Sequence, residues 1–404
     1  MPIALAVLAV ILVAGCGSTV PGAAVRVAQP TSTVDASDLD SGPYPTTPSP
    51  PLGGAGSEEA GRLVEGRRMA GHVVGPWQVD PNLISGGSAG ARVITDRKQL
   101  GSVMWPAIVA AAWAQPFLVG FSSERHAPDP KEPTLLRNNV LRFANADAAT
   151  AAAQGMSSTA MDMPVALNTD SPIPAEPIRA VPIPGHPDIN GALLTHLDGA
   201  TTVQELTVIS AHGPYVLAQV AQSAQGPERA AVFAGRVLDL QVPLIDRFQP
   251  TDQAQFAGLP LDPTGLVART LTLKADGSTM SNATYDPAGA LHLEENPIQA
   301  GRAFTDAGVE VVSAGLTTVY QAADSNRAEQ LAQALGDDVA QRAASQPEAA
   351  VPGLPQSHCA GEEGGLIPRN WCIATAGHFV IKAVARQLDN AHEQVSAQYR
   401  LLVG

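Results

Sequence analysis

NNVLRFANADAATAAAQGM (138–156) and TTVYQAADSNRAEQLAQALG (317–336) are one phrase written twice: a short apolar strand, an Asn/Asp turn and an Ala-rich helix. The segments downstream of the two copies also match. After the first come VPIPGHPD (181–188), a strand around Thr201 to Ser210, and HGPYVLAQVAQS (212–223). After the second come VPGLPQSHC (351–359), NWCIATA (370–376) and GHFVIKAVARQ (377–387). Each series closes on a long amphipathic helix. The first is PERAAVFAGRVLDLQ (227–241), with Pro227 suited to the first helical position. The second runs over about 389–402, with Leu388, Ala391, Val395, Tyr399 and Leu402 spaced to share one face. The reading is a duplication that makes an α+β protein of two related domains, each a small antiparallel sheet packed with helices. Pro and Gly punctuate FQPTDQAQFAGLPLDPTG (248–265), so the domains are expected over 58–255 and 256–404.

Outward from the copies the texture is less regular. EEAGRLVEGRRMAGHVV (58–74) reads as a first helix with Leu63, Met69 and Val73 buried. DPNLISGGSAGARVI (80–94) reads as a loop that ends in a short strand near Arg92 to Thr95. SVMWPAIVAAAWA (102–114) reads as a buried helix and PFLVGFSS (116–123) as a strand. The second half opens on LVARTLTL (266–273), with a further strand expected near Ala290 to Leu293.

The chain has 404 residues, 45% of them hydrophobic, which suffices for real cores and excludes a fully disordered chain. Its net charge of −14 leaves no basic face for phosphate neutralisation, so nucleic acid is not an expected partner. Residues Ile3 to Val13 form an apolar run too short to span a bilayer, followed by Ala14-Gly15-Cys16. That is the bacterial lipoprotein pattern, with cleavage before Cys16 and a diacylglycerol on its sulfur. The first four residues depart from it in carrying no Lys or Arg. Residues 17–57 are rich in Ser, Thr, Pro and Gly and are expected to be a disordered tether. With Cys16 lipidated, Cys359 and Cys372 remain as an even pair, as in exported proteins. Two free thiols or a metal site are the alternatives. Structural zinc needs four ligands, more than His358 and one Cys pair supply, so a disulfide is the expectation.

Several phrases together carry a family likeness: EGRRMAGHVVGPWQVDP (65–81), VPIPGHPD (181–188), LIDRFQPT (244–251), LPLDPTGLVARTL (259–271) and AHEQVSAQYRLL (391–402). With the lipobox and the tether, they make the sequence resemble the uncharacterised two-domain lipoprotein family of mycobacteria, nocardiae and related actinobacteria. The likeness covers nearly all of the chain after the tether and includes the late Cys pair. It implies location and architecture; no activity comes with it. A looser similarity, in strand–helix units and a Cys-bridged last strand and helix, is to the extracellular sensor domains of mycobacterial serine/threonine kinases.

Chemistry is sparse. Gly86-Gly87-Ser88-Ala89-Gly90 matches the G-x-S-x-G nucleophile elbow, but DPNLISGG before Ser88 is not a buried strand, so a flexible loop is the better reading. Nine His residues show no i,i+4 pair of the zinc-protease type. His196 and Asp198 fall on one side of a strand and suit at most a weak metal contact, or a solvated edge. His212 and His378 stand near matching turns, where a structural role is expected. The acid pairs Glu294-Glu295, Asp337-Asp338 and Glu362-Glu363 are sequence neighbours, which do not converge across a cleft. The four Trp read as core anchors, with Trp77 and Trp371 as candidates to line a groove. No catalytic residue, metal or cofactor is expected. The reading is a non-enzymatic binding or interaction module on the outer face of the plasma membrane, anchored through Cys16, with an envelope lipid, glycan or protein as partner. Its site is expected between the two halves, where pockets favour domain interfaces. The rivals are a serine hydrolase using Ser88 and a purely architectural envelope protein.

Overall fold

The computed structural model describes residues 34–404 except 130, 132, 164–172, 275–277, 343–344 and 363–367. Cys16, the lipobox and residues 17–33 of the expected tether lie outside the described residues. Asp35–Gly404 forms one compact unit.

The repeat is the architecture. After α1 (Glu58–Met69), the first half runs β1 (Ser85–Ile94), α2 (Arg97–Gly101), α3 (Pro106–Trp113), β2 (Phe117–His126), β3 (Leu135–Phe143) and α4 (Ala146–Met161). It continues through β4 (Arg179–Ile183), β5 (His186–Asp198), β6 (Thr201–His212), β7 (Tyr215–Gln222) and α5 (Pro227–Ile245). The second half repeats the order with β8 (Ala283–Tyr285), α6 (Pro287–Ala290), α7 (Pro297–Ala307), β9 (Val311–Ala314), β10 (Thr317–Gln321) and α8 (Ser325–Ala340). Then come β11 (Ser345–Glu348), β12 (His358–Glu362), β13 (Arg369–Ala376), β14 (Phe379–Ala385) and α9 (Leu388–Val403). The sheets have strand orders β1-β2-β3-β7-β6-β5-β4 and β8-β9-β10-β14-β13-β12-β11, the same permutation, and every pair is antiparallel.

The twice-written phrase folds as it reads because its turn residue is a helix cap. The Asn145 side chain accepts from Ala148 N at 2.9 Å, and that of Asp324 from Arg327 N at 2.8 Å. Both caps sit in nearly the same extended conformation, φ −158° with ψ 175° and 177°. The β6–β7 and β13–β14 hairpins turn on Gly213 (φ +53°) and Gly377 (φ +61°), where a side chain would be strained. His212 precedes the first of these glycines and His378 comes after the second, so the two share a turn but not a position. Cys359 and Cys372 face each other across β12 and β13 and are joined by a disulfide. Closing so short a loop stabilises the fold by about 3 kcal/mol on the chain-entropy account.

One face of the first sheet (Leu141, Phe143, Ile209, Val216) buries α3 and α4 through Ile108, Val109, Ala152 and Met156. Its other face (Phe121, Val140, Leu206, Leu217) packs on Met69 of α1 and on Phe233, Val237 and Leu238 of α5. That core continues without a break into the second half, through Tyr285, Phe304, Val312, Tyr320, Leu331 and Trp371. The remaining face of the second sheet is covered by α9, with Leu271, Ala397 and Leu401.

Three expectations need correcting. Residues 35–57, read as tether, lie against the body. Leu39 is buried, the Tyr44 hydroxyl donates to Asn390 Oδ1 at 2.7 Å, and Ser49 N and Ala55 N donate to Ala268 O and Leu259 O, each at 2.8 Å. Two anchoring side chains and backbone pairing order a segment whose composition alone argues for disorder. Residues 85–91, read as loop, belong to β1, which bulges between Gly86 and Ala91. Ala290 to Leu293, read as strand, is helical, because Asp286 caps the turn through Gly289 N at 2.6 Å and Pro287 occupies its first position.

Glu65 of α1 is fully buried. Its carboxylate takes Arg142 of β3 and Thr251 N, each at 2.7 Å, and pairs with Arg68. Removing it strands the nearly buried Arg142 guanidinium without a counter-charge. Glu65→Ala is expected to cost about 3–5 kcal/mol in urea unfolding, and Arg68→Ala, on an exposed side chain, under about 1 kcal/mol. Equal costs would show that the buried pair does not hold α1 to the sheet.

Candidate functional site

The junction between the halves is solid. Arg125 of β2 donates to Ile84 O (2.9 Å), His292 O (2.9 Å) and Glu294 O (2.8 Å), with its guanidinium 5.5 Å from the Trp77 ring centroid. The His292 ring stands edge-on to Trp77 and to Phe121, 5.0 Å from each centroid. Its Nε2 shares a proton between Ala70 O and Val73 O, each at 3.1 Å, and Nδ1 accepts from the Ser123 hydroxyl at 2.9 Å. Burial first, then the Arg125 charge, pushes the imidazole pKa down to about 4, so it is neutral. This packed cluster stands where a site between the halves is expected, and the cavity of about 580 Å³ lies within the first half instead. Trp77, expected as a groove candidate, is instead a buried member of this cluster.

Trp371 of β13 is 2% exposed, with Arg342 and Arg369 at 5.0 and 4.6 Å from its ring and Glu295 paired to both guanidiniums. It borders a cavity of about 320 Å³ beside the disulfide but shares no groove with Trp77. Cys359, Cys372 and His392 place ligand atoms within 4.8 Å of one another, yet both sulfurs are committed to the disulfide.

Ser88 is not on an elbow. Gly86 to Gly90 form the β1 bulge, which folds over the buried Glu124 carboxylate: Ala89 N donates to Glu124 Oε1 at 3.0 Å, and Arg137 Nε to Oε2 at 2.6 Å. A Cβ on Gly87 would lie 2.0 Å from Glu124 Oε1, so the glycine serves this contact.

A cavity of about 580 Å³ opens instead within the first half, between the segment joining α2 to α3 and the ends of β5, β6 and β7. Ser88 and Ser102 stand at its rim; Val103, Met104, Ile108, Val203 and Val220 make its apolar wall. Glu205 of β6 is its buried charge. Trp105 Nε1 donates to Glu205 Oε1 at 2.7 Å and Gln222 Nε2 to Oε2 at 3.0 Å, so the carboxylate is held by two neutral donors. Among the described residues no Lys, Arg or His pairs with it; Arg137, also on the wall, is spent on Glu124 and Val103 O. His196 is 7% exposed, edge-on to Trp105 at 5.8 Å, and its Nε2 has no hydrogen-bond partner. It is therefore not bonded to Ser88, and Ser88 has no base paired to it among the described residues. His196 and Asp198 do share one side of β5, and both border the cavity, as their spacing implies. Neither Trp105 nor Glu205 stands out in the sequence as a site residue. The available signal is TTVQELTV (201–208), where a carboxylate falls in phase with the inward positions of a strand.

Comparison with known proteins gives the same division. Residues 52–261 match the model described as "Domain of unknown function (DUF7373) N-terminal", and residues 266–404 match its C-terminal companion. The chain belongs to the DUF7373 family. The N-terminal DUF7373 part holds the whole cavity, and the C-terminal part holds the disulfide and the Trp371 cluster. The extracellular domain of PknH from Mycobacterium tuberculosis is similar at 14% identity, over 42% of this chain and 91% of that one, with a TM-score of 0.28. No curated protein matches.

The neutral His292 makes the contact between the two DUF7373 parts sensitive to acid. Its pKa is about 4 in the folded protein against 6.5 ordinarily, so between these values the unfolded chain binds a proton that the folded one refuses. Stability is then full above about pH 6.5 and falls as the pH drops towards 4, by up to roughly 3 kcal/mol. Urea midpoints at pH 7.5 and 4.5 should show a smaller difference in His292→Gln than in the wild type. Parallel profiles would remove His292 as the cause.

Proposed function

We propose that this chain is a non-catalytic ligand-binding module of the bacterial cell envelope, held on the outer face of the plasma membrane by a lipid on Cys16. The cavity around Glu205 carries the reading: a fixed, buried carboxylate with which no Lys, Arg or His pairs among the described residues, beside a half-buried Trp and an apolar wall. The apolar run Ile3 to Val13 ending in Ala14-Gly15-Cys16 supports the anchor, as do the phrases shared with actinobacterial lipoproteins. The disulfide suits an oxidising compartment. Among the described residues no helix is long and apolar enough to cross a membrane. Ser88, on a bulge and without a base, has no part in this reading.

The test is expression of the full chain in an actinobacterial host. Cys16→Ala should abolish incorporation of an alkyne-tagged fatty acid and release the protein from the membrane fraction; retained label would sink the anchor. Native mass spectrometry and solvent extraction of the wild type should show a small molecule of defined mass. Thr207→Trp, which fills the cavity, should lack it. A clean apo mass in both would favour an architectural role instead.

A further inference from the structure

The second half supplies an internal comparison for the cavity. The β6–β7 and β13–β14 hairpins align His212 with Ala376. Counting back along the two strands, Thr207 corresponds to Trp371 and Glu205 to Arg369. The starts of α3 and α7 align through their first-position prolines, so Met104-Trp105-Pro106 corresponds to Glu295-Asn296-Pro297. In the second half a side chain takes the place of Thr207, and the cavity beside it is smaller, about 320 Å³. Trp371 stands at that position, Arg369 and Arg342 lie against its ring, and Glu295 pairs with both guanidiniums. There an aromatic ring, a carboxylate and their cations all come from the chain. In the first half the ring (Trp105) and the carboxylate (Glu205) are present, a threonine stands where the large indole would be, and no cation pairs with that carboxylate among the described residues.

We infer that the first-half cavity binds a small organic ammonium ion, a primary amine on an apolar body. This deepens the proposed binding function and rests on it. The charges at the wall select a cation: Glu205 and Asp198 are negative, and the positive Arg137 is committed to Glu124. Beside the Ser88 and Thr207 hydroxyls, which can donate or accept, two acceptors face the cavity wall. Glu205 keeps lone pairs beyond its bonds to Trp105 and Gln222. The Nδ1 of His196 faces Leu197 O at 3.4 Å, which favours the tautomer with a bare, accepting Nε2, the atom that lacks a partner. An ammonium brings three donors to these acceptors. The half-buried Trp105 offers its π-system to the charge, and Val103, Ile108, Val203 and Val220 cover the alkyl part. A carboxylate ligand would meet repulsion, and an alcohol of the same shape would leave the Glu205 charge without a counter-ion.

The probe is n-butylammonium, compared with n-butanol, butyrate and N-acetylglucosamine. Binding is followed on the full-chain protein through the ¹⁵N indole signal of Trp105, assigned by its loss in Trp105→Phe. Butylammonium should move this signal saturably, and butanol and butyrate should not. Glu205→Gln should weaken butylammonium at least tenfold while keeping a cooperative melting transition. Asp198→Asn, at the exposed mouth, should weaken it two- to threefold, and it keeps the inference testable if Glu205→Gln does not fold. Equal or tighter binding of butanol or the sugar, or full affinity in both carboxylate variants, would overturn the ammonium class and leave the cavity a ligand site. No response to any probe would overturn the inference; the co-purified ligand and its loss in Thr207→Trp then decide the binding function separately.

Discussion

Each half depends on one non-local pairing. β3 lies beside β7, with Val140 opposite Leu217, and β10 lies beside β14, with Val319 opposite Ile381. In each case the strand that ends the first meander meets the strand that ends the second, across an intervening helix and three further strands. The pairing fixes which residues of α4 and α8 can reach the sheet. It also brings the β5–β7 ledge beside the segment that enters α3, and the cavity exists because of that neighbourhood. Without it Trp105 and Glu205, far apart in the chain, would not share a hydrogen bond.

The joint between the halves uses buried polar groups as well as apolar area. Arg67 donates to Thr279 O and Ser281 O, Arg125 to two carbonyls of the second half, and His292 to two of the first. Such contacts add little net stability relative to well-packed apolar groups, but each is expensive to leave unmade. They therefore specify one docking of the two halves and penalise others. The continuous core supplies the attraction and the carbonyl-directed donors supply the register.

Legibility in the sequence divides along the same line between local and distant contacts. The repeated phrase is readable because a cap such as Asn145 or Asp324 and an Ala-rich helix are local events, determined within a few residues. The even Cys pair is legible by arithmetic, and the shared side of His196 and Asp198 by strand period. The ordered segment before α1 is not, since Leu39 and Tyr44 gain their partners, among them Asn390, from the far end of the chain. Residues 290–293 mislead because their apolar content suits a strand while Asp286 and Pro287, just upstream, start a helix. Glu205 stays hidden for the same reason as the arm: its meaning comes from Trp105 and Gln222, which only the β3–β7 pairing assembles.

The two halves differ where their surroundings differ. The sheet face of the second half that carries α7 and α8 contributes to the core shared with the first half. A volume as large as that of the first half would remove contacts from the region that joins the halves, and the cavity beside Trp371 is smaller, about 320 Å³. A large indole stands there instead, flanked by two guanidiniums that Glu295 pairs. The corresponding face of the first sheet, with α3 and α4, has its own separate core. An unfilled volume at its margin weakens only that layer. The two halves thus hold equivalent positions under unequal packing demands: one occupied by a ring with the chain's own cations, the other by a threonine and a buried acid. A carboxylate in such a place costs stability unless something pairs with it. Its place beside an open volume is the physical reason to look for the partner outside the chain.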